Sequence, residues 1–435
     1  MVFTHELDRL RHPVGTRLWG ICIGTWLMGA VAVCMVSPRT VAFTLPVLLA
    51  GLLLSHFVRE GATFEALPGV VRLSAAALAF GAFALLSAAW AEEAMASLTA
   101  AGGAFAWLLV AIVGMALIST EPRHNEYHMA EGLWIGLMAG LAYLLVEILS
   151  DQSIKIFLYN ALHVPKSWLR PPSAFKWAGG HVVAISPFDL TRSIAPVTLL
   201  LWSALLCLRV TAPRNNAVLW GWLVYALAVA VIMVSEHETS KVAIVVASLV
   251  FLLSRWNATA AAWLLRIGWV TACLAVIPVA LSLYRANLHT APWLQVTAQH
   301  RIIIWNNTAE HALKAPVAGI GAGMMYQLDE EGAMSAQRKD NLPANAPHAH
   351  NVFLQTWFEL GAIGAALLAL FGLSLIEAIQ RGGRRAQPYG HATMAAAMCL
   401  TAASYGMWQA WFLAMFALAV ICYTLAVRVN AGGKP

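Results

Sequence analysis

The chain has 435 residues, of which 60% are hydrophobic and 11% charged, with a formal net charge of +6. A soluble globular chain carries about 25% charged residues, so a water-surrounded core is excluded for most of this sequence and the bilayer is its solvent. The positive charge is not a nucleic-acid signature, because much of it falls in short connections that obey the positive-inside rule.

Met1 to Arg17 is polar and basic. The apolar run that follows has spanning length and no small-residue cleavage site, so it reads as a retained helix and not as a cleavable signal. Apolar runs between polar breaks predict helices at 18–36, 41–57, 70–90, 99–119, 131–150 and 193–210, then 217–235, 240–254, 260–284, 351–378, 389–405 and 407–427. Each is measured against the roughly 20 residues that cross a bilayer. The expected fold is all-α: a polytopic membrane helical bundle of about twelve spans, forming a single integral membrane domain over 1–435.

Lys and Arg in the short connections set the orientation. Arg9, Arg11 and Arg17 precede the first helix, Arg59 and Arg72 flank the second connection, and Arg123 lies in the fourth. Arg209 and Arg214 mark the sixth, Arg255 the eighth, Arg381, Arg384 and Arg385 the tenth, and Arg428 and Lys434 follow the last helix. The alternate short connections carry Glu92, Glu93, Glu236 and Glu238. Both termini are therefore expected in the cytoplasm, with an even number of helices between them.

Two connections are too long for turns. The stretch 151–192 combines an amphipathic piece (Ile154, Ile156, Phe157, Leu158) with Pro165, Pro171, Pro172 and Gly179-Gly180. The stretch 285–350, before the tenth helix, is the longest polar segment of the chain. Both fall on the periplasmic side, and both hold cations: Lys155, Lys166, Arg170, Lys176 and Arg192 in one, Arg285, Arg301, Lys314, Arg338 and Lys339 in the other. Two readings stand, tolerance of charge in long loops and a cationic surface that attracts phosphorylated partners.

Other polar features point away from familiar chemistry. The six cysteines all lie in expected spans without CxxC spacing, as apolar packing residues do. The glycine-rich run 319–323 lacks the Gly-Lys-Ser or Gly-Lys-Thr of a Walker loop, and Asp329, Glu330 and Glu331 lack Asp-x-Asp spacing, so no metal site is expected.

The strongest local pattern is His348-Ala349-His350-Asn351, then nine residues, then Gly361-Ala362-Ile363-Gly364. A histidine where a loop meets a membrane helix can accept a proton from a hydroxyl near neutral pH. The two glycines are expected to let another helix approach closely. Arg192 stands before the sixth helix, Lys241 heads the eighth, and Arg301 begins Arg301-Ile302-Ile303-Ile304-Trp305. Arginine forks onto phosphate oxygens and lysine offers a point charge; singly, each also fits a side chain snorkelling to headgroups.

Taken together, these residues resemble the O-antigen ligase family, within a wider group that includes O-antigen polymerases and bacterial O-oligosaccharyltransferases. The resemblance rests on His350-Asn351 with Gly361 and Gly364, on Arg301 with Trp305 and the Pro316 to Gly323 run, and on Arg192. The region 301–364 carries the specificity, and the first five helices add only topology. At Ser240-Lys241 many relatives have arginine, so the charge is kept and the fork is not.

The resemblance implies inverting glycosyl transfer without metal or cofactor, at a site facing the periplasm from the bacterial inner membrane. The donor would be an undecaprenyl-diphosphate-linked glycan and the acceptor a sugar hydroxyl of lipid A core, in lipopolysaccharide biosynthesis. It assigns His350 as general base, Arg192, Arg301 and Lys241 to the diphosphate, and His348 and Asn351 to support. Three alternatives stay open. An O-antigen polymerase shares the motifs. A protein O-oligosaccharyltransferase is expected to carry soluble sequence beyond the last helix, where this chain ends at Pro435. A transporter of lipid-linked glycans is expected to hold ionisable residues deep in its spans, where only Glu147 and Arg266 stand out.

Overall fold

In lipid every backbone N–H and C=O must find its partner within the segment, so long runs of Leu, Ala, Val and Trp coil into helices. The computed structural model describes residues 13–59, 70–169, 174–213, 215–330 and 347–432. Arg9, Arg11, Arg170, Pro171, Pro172, Arg214, Glu331, Arg338, Lys339 and Lys434 lie outside the described residues.

The long helices of the first half are α1 (Pro13–Val36), α2 (Val41–Val58), α3 (Val70–Leu86), α4 (Ala94–Thr120) and α5 (Arg123–Leu149). A short α6 (Ser153–Ala161), a hairpin of β1 (Phe175–Ala178) and β2 (His181–Ile185), and α7 (Thr191–Thr211) follow. The second half holds α8 (Ala217–Val234), α9 (Glu238–Trp256), α10 (Ala258–Arg285), α11 (Val296–Ala312) and α12 (Met324–Glu330), then α13 (Val352–Arg381), α14 (Gln387–Ala403) and α15 (Ala410–Gly432). Among the described residues, eleven helices are long and apolar enough to cross a membrane, which makes this an all-α, multi-pass membrane protein. The remaining expected span, 389–405, forms α14, 17 residues long.

The chain divides into two compact units: Met1–Glu65, Gly114–Leu249 and Leu418–Pro435 in the first, Ala66–Val113 and Val250–Ala417 in the second. In the first unit α1 lies along α5. A Cβ at Gly132 would stand 2.1 Å from the Gly24 carbonyl oxygen, and one at Gly136 2.4 Å from that of Met28, so the small-residue seam brings the two backbones together. Helix α7 packs against α1, α5 and α8 and is buried on almost every side.

The connection 151–192 is folded, not open. β1 pairs antiparallel with β2 through a turn at Gly179 and Gly180, both at positive φ. Leu169, Ala174, Phe175, Val182 and Ile185 make a small core, with Ile156 and Tyr159 of α6 packed on it. Asn160 ties the helix to the hairpin by accepting from Val182 N at 2.8 Å and donating to Val182 O at 2.9 Å.

In the second unit α13 is the hub, packed by α3, α10, α11 and α14. Trp269 of α10 fills the place a side chain at residue 372 would take, and its indole N–H donates to Leu368 O at 3.0 Å. The connection 285–350 also contains order, in α11 and α12.

Candidate functional site

The site is built where the chain enters α13. Asn351 is extended and its side chain accepts from Leu354 N at 3.0 Å, so the asparagine of the His-Asn pair caps the helix. His350, just before it, sits at φ +53°, a left-handed backbone that a non-glycine residue holds only when its surroundings fix it. Two contacts fix it. Trp305 Nε1 of α11 donates to Ala349 O at 2.9 Å, and His350 Nδ1 lies 2.7 Å from Ser404 O.

A carbonyl oxygen can only accept, so the ring proton resides on Nδ1 and the lone pair on Nε2. Burial holds the imidazole below its ordinary value of 6.5; the Ser404 bond opposes this and the neighbouring Arg301 charge adds to it. At neutral pH the ring is uncharged and its Nε2 is a proton acceptor. His348 stands edge-on to His350, ring centres 4.1 Å apart at 74°. Gly406 makes room for it, since a Cβ there would meet the His348 side chain at 2.8 Å.

Arg301 lies in the second turn of α11, half-buried, and burial lowers its pKa while Tyr405 opposes the shift. Guanidinium stays charged in proteins. Among the described residues no carboxylate lies within ion-pair distance of it. A partly desolvated cation without an internal counterion favours an anion supplied from outside.

The glycines play a different part from the one expected. Gly361 takes φ 63°, ψ −162° and breaks the helical path inside α13. There the chain runs beside the glycine-rich stretch: Ala362 N donates to Pro316 O at 2.8 Å, Ile363 N to Val317 O at 3.2 Å, and Gly321 N to Glu359 O at 2.9 Å. A Cβ at Gly361 would stand 2.4 Å from Val317 O, and one at Gly319 2.3 Å from the Glu359 backbone. These two glycines therefore admit a loop backbone and not a second helix. At Gly364 an added Cβ would meet Leu360 of the same helix at 2.3 Å. The amides of Gly319, Gly321 and Ala322 are spent on Ala315 O, Glu359 O and Ser87 Oγ, so these three are not free to hold an external anion.

Sequence reasoning missed Glu359. Its side chain is fully buried and accepts from Trp408 Nε1, from Met325 N at 3.2 Å and from Gln355 Nε2 at 3.3 Å. The available signal was Gln355 and Glu359, two polar residues one helical turn apart in an otherwise apolar run.

Arg192 and Lys241 belong to the first unit, Arg301, His348, His350 and Asn351 to the second. Arg192 stands in the first turn of α7, half-buried, with no ion pair among the described residues. Asp189, three residues earlier, is taken by Lys155 at 2.6 Å. Lys155 is only 5% exposed, so this cation does not belong to the open cationic surface the sequence suggested. Lys241 is paired with Glu238 at 2.8 Å in the first turn of α9. Of the deep ionisable residues, Glu147 accepts from Lys155 N at 2.9 Å, and the Arg266 guanidinium lies over the Trp263 ring at 5.3 Å.

Residues 190–369 match the family model described as O-antigen ligase. Arg192, Lys241, Arg301, His348, His350, Asn351 and Glu359 all fall inside that stretch, and the 404–408 turn lies beyond it. The chain is 26% identical to a provisionally named polysaccharide ligase of Rickettsia prowazekii, over 52% of this chain and 56% of the relative. It is 20% identical to one of Rickettsia conorii, over 74% of this chain and 72% of the relative. A third, from Rickettsia typhi, is 26% identical over 52% of this chain and 56% of its own length. The chain thus spans just over half the length of two of these relatives.

Proposed function

We propose, from the match of residues 190–369 to the family model described as O-antigen ligase, that the chain transfers a glycan from a polyprenyl diphosphate to a sugar hydroxyl of lipid A core. The reading sets the protein in the bacterial inner membrane with both termini cytoplasmic and the site facing the periplasm. The observation that carries the chemistry is the pairing of a neutral His350, its Nδ1 proton held by Ser404 O at 2.7 Å, with a half-buried Arg301 acting on the same ring.

In this mechanism the acceptor hydroxyl oxygen attacks the anomeric carbon from the face opposite the diphosphate, and its proton passes to His350 Nε2. The new carbon–oxygen bond forms as the bond to the diphosphate breaks, which inverts the configuration. The electron pair leaves on the diphosphate, whose growing charge Arg301 and Arg192 stabilise through forked hydrogen bonds. Lys241 joins them when its pair with Glu238 opens. His348 packs against the base, and Asn351 fixes the helix start beneath it.

The test is reconstitution of the purified chain in liposomes with a lipid-linked glycan and lipid A core. Joined product that requires both lipids supports the reading. Chain growth from the donor alone identifies a polymerase instead, and unimpaired transfer by a well-folded His350→Ala variant removes the base.

A further inference from the structure

A general base held by a main-chain carbonyl is only as well placed as the turn that offers the carbonyl. Ser404 lies on the 404–408 turn between α14 and α15, and that turn is anchored from one direction. Trp408 Nε1 donates to Glu359, and Met407 N donates to Gln355 Oε1 at 3.3 Å while Gln355 Nε2 donates to Glu359 at 3.3 Å. Two consecutive residues of the turn are thus fastened, directly and through one amide, to a single carboxylate with no solvent exposure. From the other side Met325 N donates to the same carboxylate at 3.2 Å. We propose that Glu359 is a positioning residue for His350: by holding the 404–408 turn through Trp408 and Gln355, it sets where the Ser404 carbonyl meets the histidine ring.

The chemistry of the contacts selects glutamate. Each partner presents an N–H, so both oxygens must accept, and no cation lies within ion-pair distance among the described residues. A glutamine there turns an NH2 group against one of these donors and leaves a buried donor unsatisfied. The same turn carries Gly406, whose missing side chain admits His348, so displacement of the turn disturbs both histidines. Among the described residues, the groups acting on the His350 ring are Arg301 on α11 and His348 on its own segment, while Tyr405 of the turn acts on Arg301. Glu359 acts on the ring through none of them and only through the carbonyl.

This inference rests on the assignment of His350 as base, and the test separates the two. Diethyl pyrocarbonate acylates the unprotonated imidazole, so its rate at His350, read by peptide mass spectrometry across pH, reports the ring without any substrate. The purified full-length wild type, Glu359→Gln and Trp408→Phe are compared in detergent, with size-exclusion profile and thermal unfolding as folding controls, and transfer is measured in liposomes. The Ser404 bond favours the protonated ring, so its loss moves the acylation midpoint to lower pH in Glu359→Gln, and in the same direction by less in Trp408→Phe. kcat falls by roughly 10–100-fold, the range known for groups that orient metal-ligating histidines and taken here for one that orients a histidine base, while KM for the lipid-linked donor holds. An unchanged or raised midpoint in folded variants overturns the proposal. Should Glu359→Gln fail to fold, Trp408→Phe decides by the same criterion. Midpoints that shift while the wild type joins no lipids sink the transfer reading and leave the positioning role standing.

Discussion

The cations at the helix starts of the first unit are similar as sequence to the polar cluster around the start of α13, and they differ from it as structure. Lys241 and Arg301 each stand in the first two turns of a helix beside a polar connection. Lys241 already has Glu238 at 2.8 Å, and Lys155 already has Asp189 at 2.6 Å. Arg301 has no such partner among the described residues, and His350 has a carbonyl that fixes its tautomer without neutralising it. Arg192 is the member of the first unit that shares the condition of Arg301. A charge neutralised within its own fold contributes to the fold; one left half-buried and uncompensated is available to a charged substrate.

The contrast has measurable consequences. The largest is at the base: His350→Ala lowers kcat by roughly 10²–10⁴-fold, the span of general-base catalysis, and transfer within threefold of wild type would end that role. Next come the forked cations. Arg301→Lys and Arg192→Lys each lower transfer by roughly 10²–10³-fold, as loss of one preorganised donor does; if lysine serves equally well, point charge is enough and the fork is irrelevant. The pH profile gives a smaller effect. Burial and Arg301 hold His350 below 6.5, so the rise of kcat with pH lies below that value and activity is level at neutrality. In the residual activity of Arg301→Met this rise moves to higher pH, because the cation that disfavours imidazolium is gone, and a stationary profile would detach Arg301 from the ring. The smallest change belongs to the paired lysine. Lys241→Ala costs less than about 1 kcal/mol of stability, as exposed ion pairs do, and reduces transfer less than Arg301→Lys. A loss as large as that of Arg301→Lys would make the paired lysine the equal of the forked cations and would erase the contrast.

Most of the fold was legible because lipid imposes a simple rule on the chain. The runs read at 41–57, 217–235 and 260–284 became Val41–Val58, Ala217–Val234 and Ala258–Arg285. The long polar connections were harder. α11 reads VTAQHRIIIWNNTAEHA, whose apolar residues keep no clear stripe, so nothing in its pattern separated helix from loop. In the site, His350-Asn351 stood out because histidine at a membrane boundary is chemically conspicuous. Ser404 and Trp408 could not be found this way, since one contributes only a carbonyl and the other reads as an ordinary interfacial aromatic. Gly361 was visible but misread. Glycine pairs in a membrane helix usually mark a helix crossing, and only the positive φ and the neighbouring 316–321 stretch of backbone disclose a break that receives a loop.

The bond between His350 Nδ1 and Ser404 O also governs how the ring would be reset. An amide oxygen does not take a proton at physiological pH, so whatever arrives at Nε2 must depart by Nε2. Proton traffic at His350 therefore has one door, Nε2, and the nearby guanidinium hastens the exit of any proton held there. In the proposed transfer, the departing diphosphate or a water that follows it would close the cycle at the nitrogen where it opened.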